Sequence, residues 1–521
     1  MFHKTLLVIV TCTMKKLLKA FFCVTFFSVA TRALGFILRI VLSRVLSPEE
    51  LGTYQIAMAV FGVLMTLVAS GIPVIVSRNV AYESGNKNEQ AKTVSGAMII
   101  ALVISVVTCI FFYIFPNIFD KISGLNGTSK CLVYLLPALI FSSIYAIFRG
   151  ALWGNQNFFV ISFSEFLEQI IRIAFIFLLF VIPMGLSNSA KAGLSLTIST
   201  VLSSIFVTIM YYALGNKTKL PNKKTLTILK RSSPITAVRT LSSAVQCVIA
   251  LLIPARLMLF GFSETAALAE FGVIMGMALP MLMVPSTLIS SVAVAVIPEI
   301  SKQTNNIDNP ASIKDFPKLQ NQSTTTTIIA MFISFLLFPG FLALGEPIGE
   351  IIFASKKAGY YISRAAFLMI PCGISQITSS ILNAVGLELK SLKNYAIGAS
   401  ILIFCIYFLP KYLGTDALIL GMSALYIVPA ILNLNMMQKR NIYPSALPKK
   451  LIILLLCSLP IALITKLLYN CLIHILSAFI SAVISGIFSV LGLVLLALVF
   501  NCIKIDGLIP KRFTKYLKVK S

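Results

Sequence analysis

Negative charge is scarce in this chain, with 17 Asp and Glu against 43 Lys and Arg in 521 residues. Charge of either sign accounts for only 12% of the residues, about half of what a soluble domain carries. So little charge cannot cover a soluble globule of this size. The two histidines, His3 and His474, are too few for a histidine metal site or a histidine proton relay. The cysteines show no C-x-x-C spacing, and Cys109, Cys247, Cys405 and Cys457 lie inside apolar runs. They read as small apolar packing residues, not as disulfide or metal partners. No Gly-Lys-Ser/Thr phosphate loop occurs, so the chain has no ATPase site of its own. No polar stretch is long enough to form a separate domain, which leaves no place for a sugar-nucleotide site or a basic nucleic-acid face. The expectation is a non-enzyme with no cofactor, no metal and no nucleic-acid partner.

What the chain has is hydrophobic length. Hydrophobic residues make up 58% of it, and its mean hydropathy is +0.95. Apolar runs of roughly 20 residues recur from Phe21 to Cys502, each long enough to cross a hydrocarbon core as a helix. Short alternating segments of the kind a transmembrane barrel needs are missing. The expected fold class is therefore an all-α integral membrane protein of about fourteen transmembrane helices. The predicted spans are 21–46, 51–77, 93–116, 131–153, 160–183, 192–214, 234–260, 268–297, 323–345, 361–386, 392–410, 414–437, 450–470 and 477–503. An even number of spans puts both termini on one side. Segments on that side hold roughly four times as much Lys and Arg as the opposite ones, which predicts that both termini are cytoplasmic. The N-terminus shows no signal-peptide cleavage site. Met14-Lys15-Lys16-Leu17 reads as an alternative start, which would make residues 1–13 an extension.

A connector at 215–233 carries Lys217, Lys219, Lys223, Lys224, Lys230 and Arg231 and no acid. It reads as a cytoplasmic loop lying on anionic headgroups. Short echoes on either side of it suggest a duplication. Tyr54-Gln55-Ile56-Ala57-Met58 resembles Phe271-Gly272-Val273-Ile274-Met275, Ile99-Ile100-Ala101 recurs as Ile328-Ile329-Ala330, and Leu136-Pro137 recurs as Ile370-Pro371. The expected organisation is a cytoplasmic segment at 1–20, a six-helix lobe at 21–214, the connector, and a second six-helix lobe at 234–437. Two added helices at 438–503 and a basic tail at 504–521 complete it. Two six-helix bundles in parallel pseudo-repeat are a transporter architecture, with the substrate path between them.

Ionisable residues inside spans cost roughly 2.5–3.5 kcal/mol each on insertion scales and so mark function or pairing. Here they are Arg32, Arg39, Arg44, Arg149, Arg172, Arg239, Arg256 and Arg364, against Glu165 and Glu168. Arginine keeps its charge at working pH and offers a planar fork suited to phosphate oxygens. Arg32 and Arg39 are two helical turns apart on nearly one face, which suits substrate contact, with interhelical pairing as the alternative. Arg44, Arg239 and Arg256 sit toward span ends, where snorkelling competes with a cavity role. Arg78 ends span two as a topology determinant or gate residue. Glu168 and Arg172 are spaced for an intrahelical ion pair. Glu165 has no local partner, which leaves a span-one arginine or ion coupling. Around Arg149, Gly150 and Gly154 permit close helix approach and Trp153 reads as an interface anchor.

The run Thr31-Arg32-Ala33-Leu34-Gly35-Phe36 with Arg39 and Arg44 carries a family likeness. So do Glu49-Glu50-Leu51-Gly52-Thr53-Tyr54, Gly71-Ile72-Pro73-Val74-Ile75-Val76-Ser77, and Glu168-Gln169 with Arg172. Together they resemble the polysaccharide-export branch of the MATE-like flippase superfamily, nearest to its stage V sporulation protein B family. The resemblance implies a flippase for an undecaprenyl-pyrophosphate-linked saccharide in the bacterial cell membrane, serving envelope or spore-cortex peptidoglycan synthesis. It implies a pyrophosphate held by Arg32, Arg39, Arg78, Arg239 and Arg256, and a prenyl tail lodged along the last two spans. Its implied partners are the lipid-linked saccharide, membrane lipids and envelope-synthesis enzymes. Two alternatives stay open: a cation-coupled multidrug exporter of the same fold, and a non-transporting scaffold of an envelope-synthesis complex.

Overall fold

The computed structural model describes residues 2–83, 85–125, 127–221, 225–304, 317–440, 442, 447–500 and 502, all regular structure among them being helical. The first helices are α1 (Phe2–Val45), α2 (Pro48–Ala69), α3 (Ile72–Tyr82), α4 (Lys87–Ile114), α5 (Ile118–Ser123), α6 (Thr128–Gly154), α7 (Phe158–Val181) and α8 (Asn188–Ala213). Then come α9 (Thr225–Leu259), α10 (Glu264–Gly272), a π-helical stretch (Val273–Ala278), α11 (Leu279–Leu282) and α12 (Val284–Thr304). The chain continues through α13 (Pro317–Leu336), α14 (Phe338–Phe353), α15 (Lys356–Ala365), α16 (Met369–Ala384), α17 (Glu388–Phe408), α18 (Pro410–Leu413), α19 (Asp416–Lys439), α20 (Leu447–Leu472) and α21 (Ala478–Val499).

Among the described residues, fourteen helices are long and apolar enough to cross a membrane, with α2–α3, α13–α14 and α15–α16 as broken crossings. Residues 264–301 supply two of the fourteen, Glu264–Leu282 and Val284–Ser301, although the backbone stays right-handed helical at Met283 between them. α7 lies outside that set because Glu165, Glu168 and Arg172 interrupt its apolar run. Taking 264–301 as one broken crossing and α7 as another keeps the fourteen expected from hydropathy.

Local chemistry sets the helix ends. Ser47 accepts a hydrogen bond from the Glu50 N–H (3.2 Å), and the Glu50 carboxylate accepts one from the Ser47 N–H (3.0 Å), a reciprocal cap with Pro48 opening the helix. Asn188 also donates to Glu50 (3.2 Å), which ties the start of α8 to the start of α2. The α2–α3 break falls at Ser70-Gly71, just before Pro73, whose ring nitrogen has no hydrogen to continue the ladder.

The helices divide into two compact units, one ending at Gly272 and the other starting at Val273. The division falls at the start of the π-helical stretch, in mid-span, whereas the sequence echoes divide the chain at 215–233. α9, which follows that connector, packs within the first unit on α2, α3, α4 and α10. The first unit has a core of Ile72, Val76, Val94, Ala97, Ile147, Ala151 and Val160. There α2 meets α10 backbone to backbone: a Cβ on Gly52 would lie 2.1 Å from the Leu268 carbonyl oxygen, and one on Gly272 2.2 Å from that of Pro48. The close approach expected around Arg149 is made by Gly150, against the Pro73 carbonyl, and by Gly154, against the Ser77 carbonyl, both of α3. In the second unit the buried Asn433 of α19 accepts from Asn394 of α17 (2.8 Å) and donates to Ser379 of α16 (2.9 Å). Ser481, Ser485 and Ser489 present a buried small face of α21, which packs on α14 and α20.

Candidate functional site

α7 is the organising helix. On one face Phe159, Phe163 and Phe166 surround Phe27 of α1, with ring centroids 5.8, 5.7 and 5.5 Å away in edge-on geometry. That aromatic seat holds α1 against α7, and further along α1 Arg39 comes within electrostatic reach of Arg172. Those residues, Glu165, Glu168 and Arg172, follow one another at three and four positions and so share a helix face.

Glu165 meets Arg149 of α6, with 2.5 Å between Oε1 and Nη2, in a half-exposed ion pair. One position earlier, the Ser164 hydroxyl lies 3.0 Å from the Tyr145 phenol, also from α6. Glu168 accepts a long hydrogen bond from Thr200 of α8 (3.5 Å) and lies within electrostatic reach of Arg172, Glu165 and Arg149. Arg172 donates through Nη2 to the phenolic oxygen of Tyr54, a residue of α2 that is only 3% exposed. Arg39 of α1 lies within electrostatic reach of both Tyr54 and Arg172. Arg172 Nε and Gln169 Oε1 are buried with no hydrogen-bond partner. Five helices thus converge on one polar cluster inside the first unit, in which Arg39, Arg149 and Arg172 outnumber Glu165 and Glu168. A cluster with surplus fixed positive charge attracts an anion.

The structure rearranges several pairings expected from spacing. Glu168 and Arg172 make no direct ion pair; Arg172 turns to Tyr54, which lies across the α2–α7 contact and offers an acceptor in a buried setting. Glu165 finds Arg149 and not an arginine of span one, and Arg149 combines the packing expected of its neighbourhood with that charge contact. Arg32 and Arg39 are both exposed on α1. Arg44 lies in the last turn of α1, where a cation meets the negative helix end. Arg78 is exposed on α3. Arg239 donates from Nη1 to the Ser70 carbonyl (3.1 Å), at the end of α2 where carbonyls lack helical donors. Arg256 stacks over Phe260 with 5.3 Å to the ring centroid. Arg364 belongs to the second unit, paired with Asp416 (2.7 Å) and lying over Tyr360. Tyr54 and Thr200 are the cluster members that sequence reasoning missed. A lone in-span acid signals that a cation partner exists but not which helix supplies it.

Solved structures share this fold at low sequence identity. A lipid II flippase MurJ in an inward closed conformation superposes with a TM-score of 0.71 at 17% identity, covering 91% of this chain and 98% of that one. An inward-facing multidrug resistance MATE family transporter of the MOP superfamily gives 0.63 at 17%, covering 82% and 96%. The fold is thus that of the MATE-like transporters. Within that class the chain belongs to the polysaccharide biosynthesis protein family, which matches residues 17–304. Stage V sporulation protein B of Bacillus subtilis (strain 168) is 25% identical over 289 residues, 52% of this chain and 55% of that protein. The match therefore spans about half the length of that relative. Sporulation protein YkvU of the same organism is 22% identical over 372 residues, 67% of this chain and 78% of that one.

Proposed function

We propose that the protein is a flippase that carries an undecaprenyl-pyrophosphate-linked saccharide across the bacterial cytoplasmic membrane by alternating access, with both termini in the cytoplasm. The embedded cluster carries the reading: Arg172 donates to Tyr54 with Arg39 within electrostatic reach of both, while Glu165 is already paired with Arg149 and the arginines outnumber the carboxylates. A guanidinium holds its charge through the transport cycle and binds phosphate oxygens through paired N–H groups. Arg32 extends the cluster two turns along α1, and Arg78, Arg239 and Arg256 serve as further contacts along the phosphate path. An apolar groove of about 380 Å³ between α14 and α21, with Gly340, Leu344, Gly486 and Val490 among its walls, suits the prenyl chain. The likenesses to Stage V sporulation protein B and to the lipid II flippase support a role in envelope or spore-cortex peptidoglycan synthesis.

A cation-coupled exporter is the second reading, favoured by carboxylates inside α7 and by the MATE transporter likeness. Against it stands the Arg149 contact, which compensates the charge a cation would need. Liposomes carrying a fluorescent undecaprenyl-pyrophosphate saccharide separate the two. Wild-type protein is expected to expose the headgroup on the far leaflet, and Arg32→Ala with Arg39→Ala to abolish this at equal reconstitution. Headgroup exposure unchanged by the double substitution would remove the arginines from the site. Resistance to cationic drugs that depends on Glu165, with no headgroup exposure, would favour the exporter.

A further inference from the structure

The two carboxylates of α7 are used unequally. Glu165 is committed to Arg149 at 2.5 Å. Glu168 accepts from Thr200 across 3.5 Å, at the outer limit of a hydrogen bond. Arg172 follows Glu168 by four residues, and a glutamate one turn ahead of a cation is the favourable order for an ion pair along a helix. No such pair forms in this conformation. Arg172 gives Nη2 to Tyr54 and keeps Nε buried without an acceptor, which raises the energy of that arrangement. Both Glu168 and Arg172 are partly exposed, so packing does not seal either side chain in its present position.

A flippase must also let go of its cargo. The arginine charge that draws a pyrophosphate in also holds it, and a guanidinium does not lose its proton at working pH. Affinity therefore has to fall by a change of partner. Arg39 cannot supply that partner, being a cation itself, and Glu165 is already taken by Arg149. Glu168 remains, within electrostatic reach of Arg172 and on the same helix. Because both residues belong to α7, the carboxylate travels with the arginine however the surrounding helices move.

We propose that Glu168 reclaims Arg172 at the end of the transport step, closing the α7 ion pair and displacing the pyrophosphate. The inference rests on the flippase reading and adds a release residue to its site. Arg172 then has three acceptors in turn: Tyr54 in the conformation described, the pyrophosphate when loaded, and Glu168 as the headgroup leaves. The ion pair cancels the guanidinium charge and occupies its N–H fork, so the anion loses attraction and hydrogen bonds together. Glu168 acts through Arg172 and does not itself touch the cargo.

Two measurements on the purified full-length protein test this: binding of the fluorescent undecaprenyl-pyrophosphate saccharide in detergent, and its exposure in liposomes. Glu168→Gln keeps the shape and removes the charge. It should bind the lipid roughly threefold to fivefold more tightly, yet turn over more slowly at saturating lipid by at least that factor. Glu168→Asp keeps a carboxylate and should return both values toward wild type. In an Arg172→Ala background, Glu168→Gln should leave affinity unchanged. Tightening of equal size in both backgrounds would mean that Glu168 acts only through the general field, and would overturn the proposal. So would an unchanged affinity, or binding and turnover that weaken together as a structural role predicts. Wild-type protein that neither binds nor exposes the lipid would sink the flippase reading and the release role with it. Wild type active in both assays, with Glu168→Gln indistinguishable from it, would sink the release role alone.

Discussion

Tyr54 and Arg172 are 118 positions apart in the chain, yet their contact ties α2 to α7 within the cluster. With its phenol accepting from Nη2, Tyr54 orients the guanidinium; without it, Nη2 would lose its partner beside an Nε that is already buried and unpaired. Tyr54→Phe keeps the ring and deletes the acceptor, so it should destabilise the protein by about 1–3 kcal/mol. A lowered thermal midpoint in detergent would be the reading, and an unchanged midpoint would mean that Arg172 has another partner. The Arg149–Glu165 contact is half-exposed, with side-chain exposures of 44% and 33%, so it is open to screening. A double-mutant cycle of Arg149→Ala and Glu165→Gln on unfolding should give a coupling of about 1 kcal/mol or less, not that of a sealed ion pair. A coupling several times larger would show that the pair is closed off from water. The charges themselves, Arg32 and Arg39 above all, were legible in the sequence because an arginine in an apolar run stands out. Their partners were not, since pairing across helices depends on which faces meet.

At the scale of elements, two kinds of contact position the cluster. Phe27 seats α1 on α7, and the glycines let helix backbones touch. Gly52 and Gly272 leave no room for a methyl group between α2 and α10, whereas a Cβ at Gly62 on the same α2 meets nothing within 4 Å. Gly52→Ala should therefore sharply lower the yield of monodisperse protein in fluorescence-detected size exclusion, by overpacking worth about 1–3 kcal/mol or more. Gly62→Ala should be neutral or slightly stabilising, because it only improves helix propensity. Equal yields of the two would show that α2 and α10 separate readily. The glycine–glycine contact is invisible to pattern reading, which sees only that small residues permit approach. The break at Ser70-Gly71 was foreshadowed by Pro73, but its filling by Arg239 was not, since that side chain arrives from α9.

For the whole molecule, orientation is the property that charge asymmetry predicts. Lys217→Cys in a protein otherwise freed of cysteine should resist a membrane-impermeant maleimide in intact cells. Lys357→Cys, in the segment between predicted spans nine and ten, should react readily. The reverse pattern would invert the topology and place the N-terminal end of α1 outside. Expression as a folded, monodisperse protein is the necessary control, since cysteine removal touches buried positions such as Cys131 and Cys372.

The class of protein, its all-helical fold and its fourteen crossings follow from sequence alone, because each rests on a local quantity: the length of an apolar run set against the thickness of a bilayer. The cationic character of its embedded residues is local in the same way. Tertiary structure alone decided that Arg172 turns to Tyr54, that Glu165 finds Arg149, and that the compact units part at the π-helical stretch. Those outcomes depend on which helix faces come together, and an i, i+4 spacing on one helix cannot specify a partner that another helix delivers.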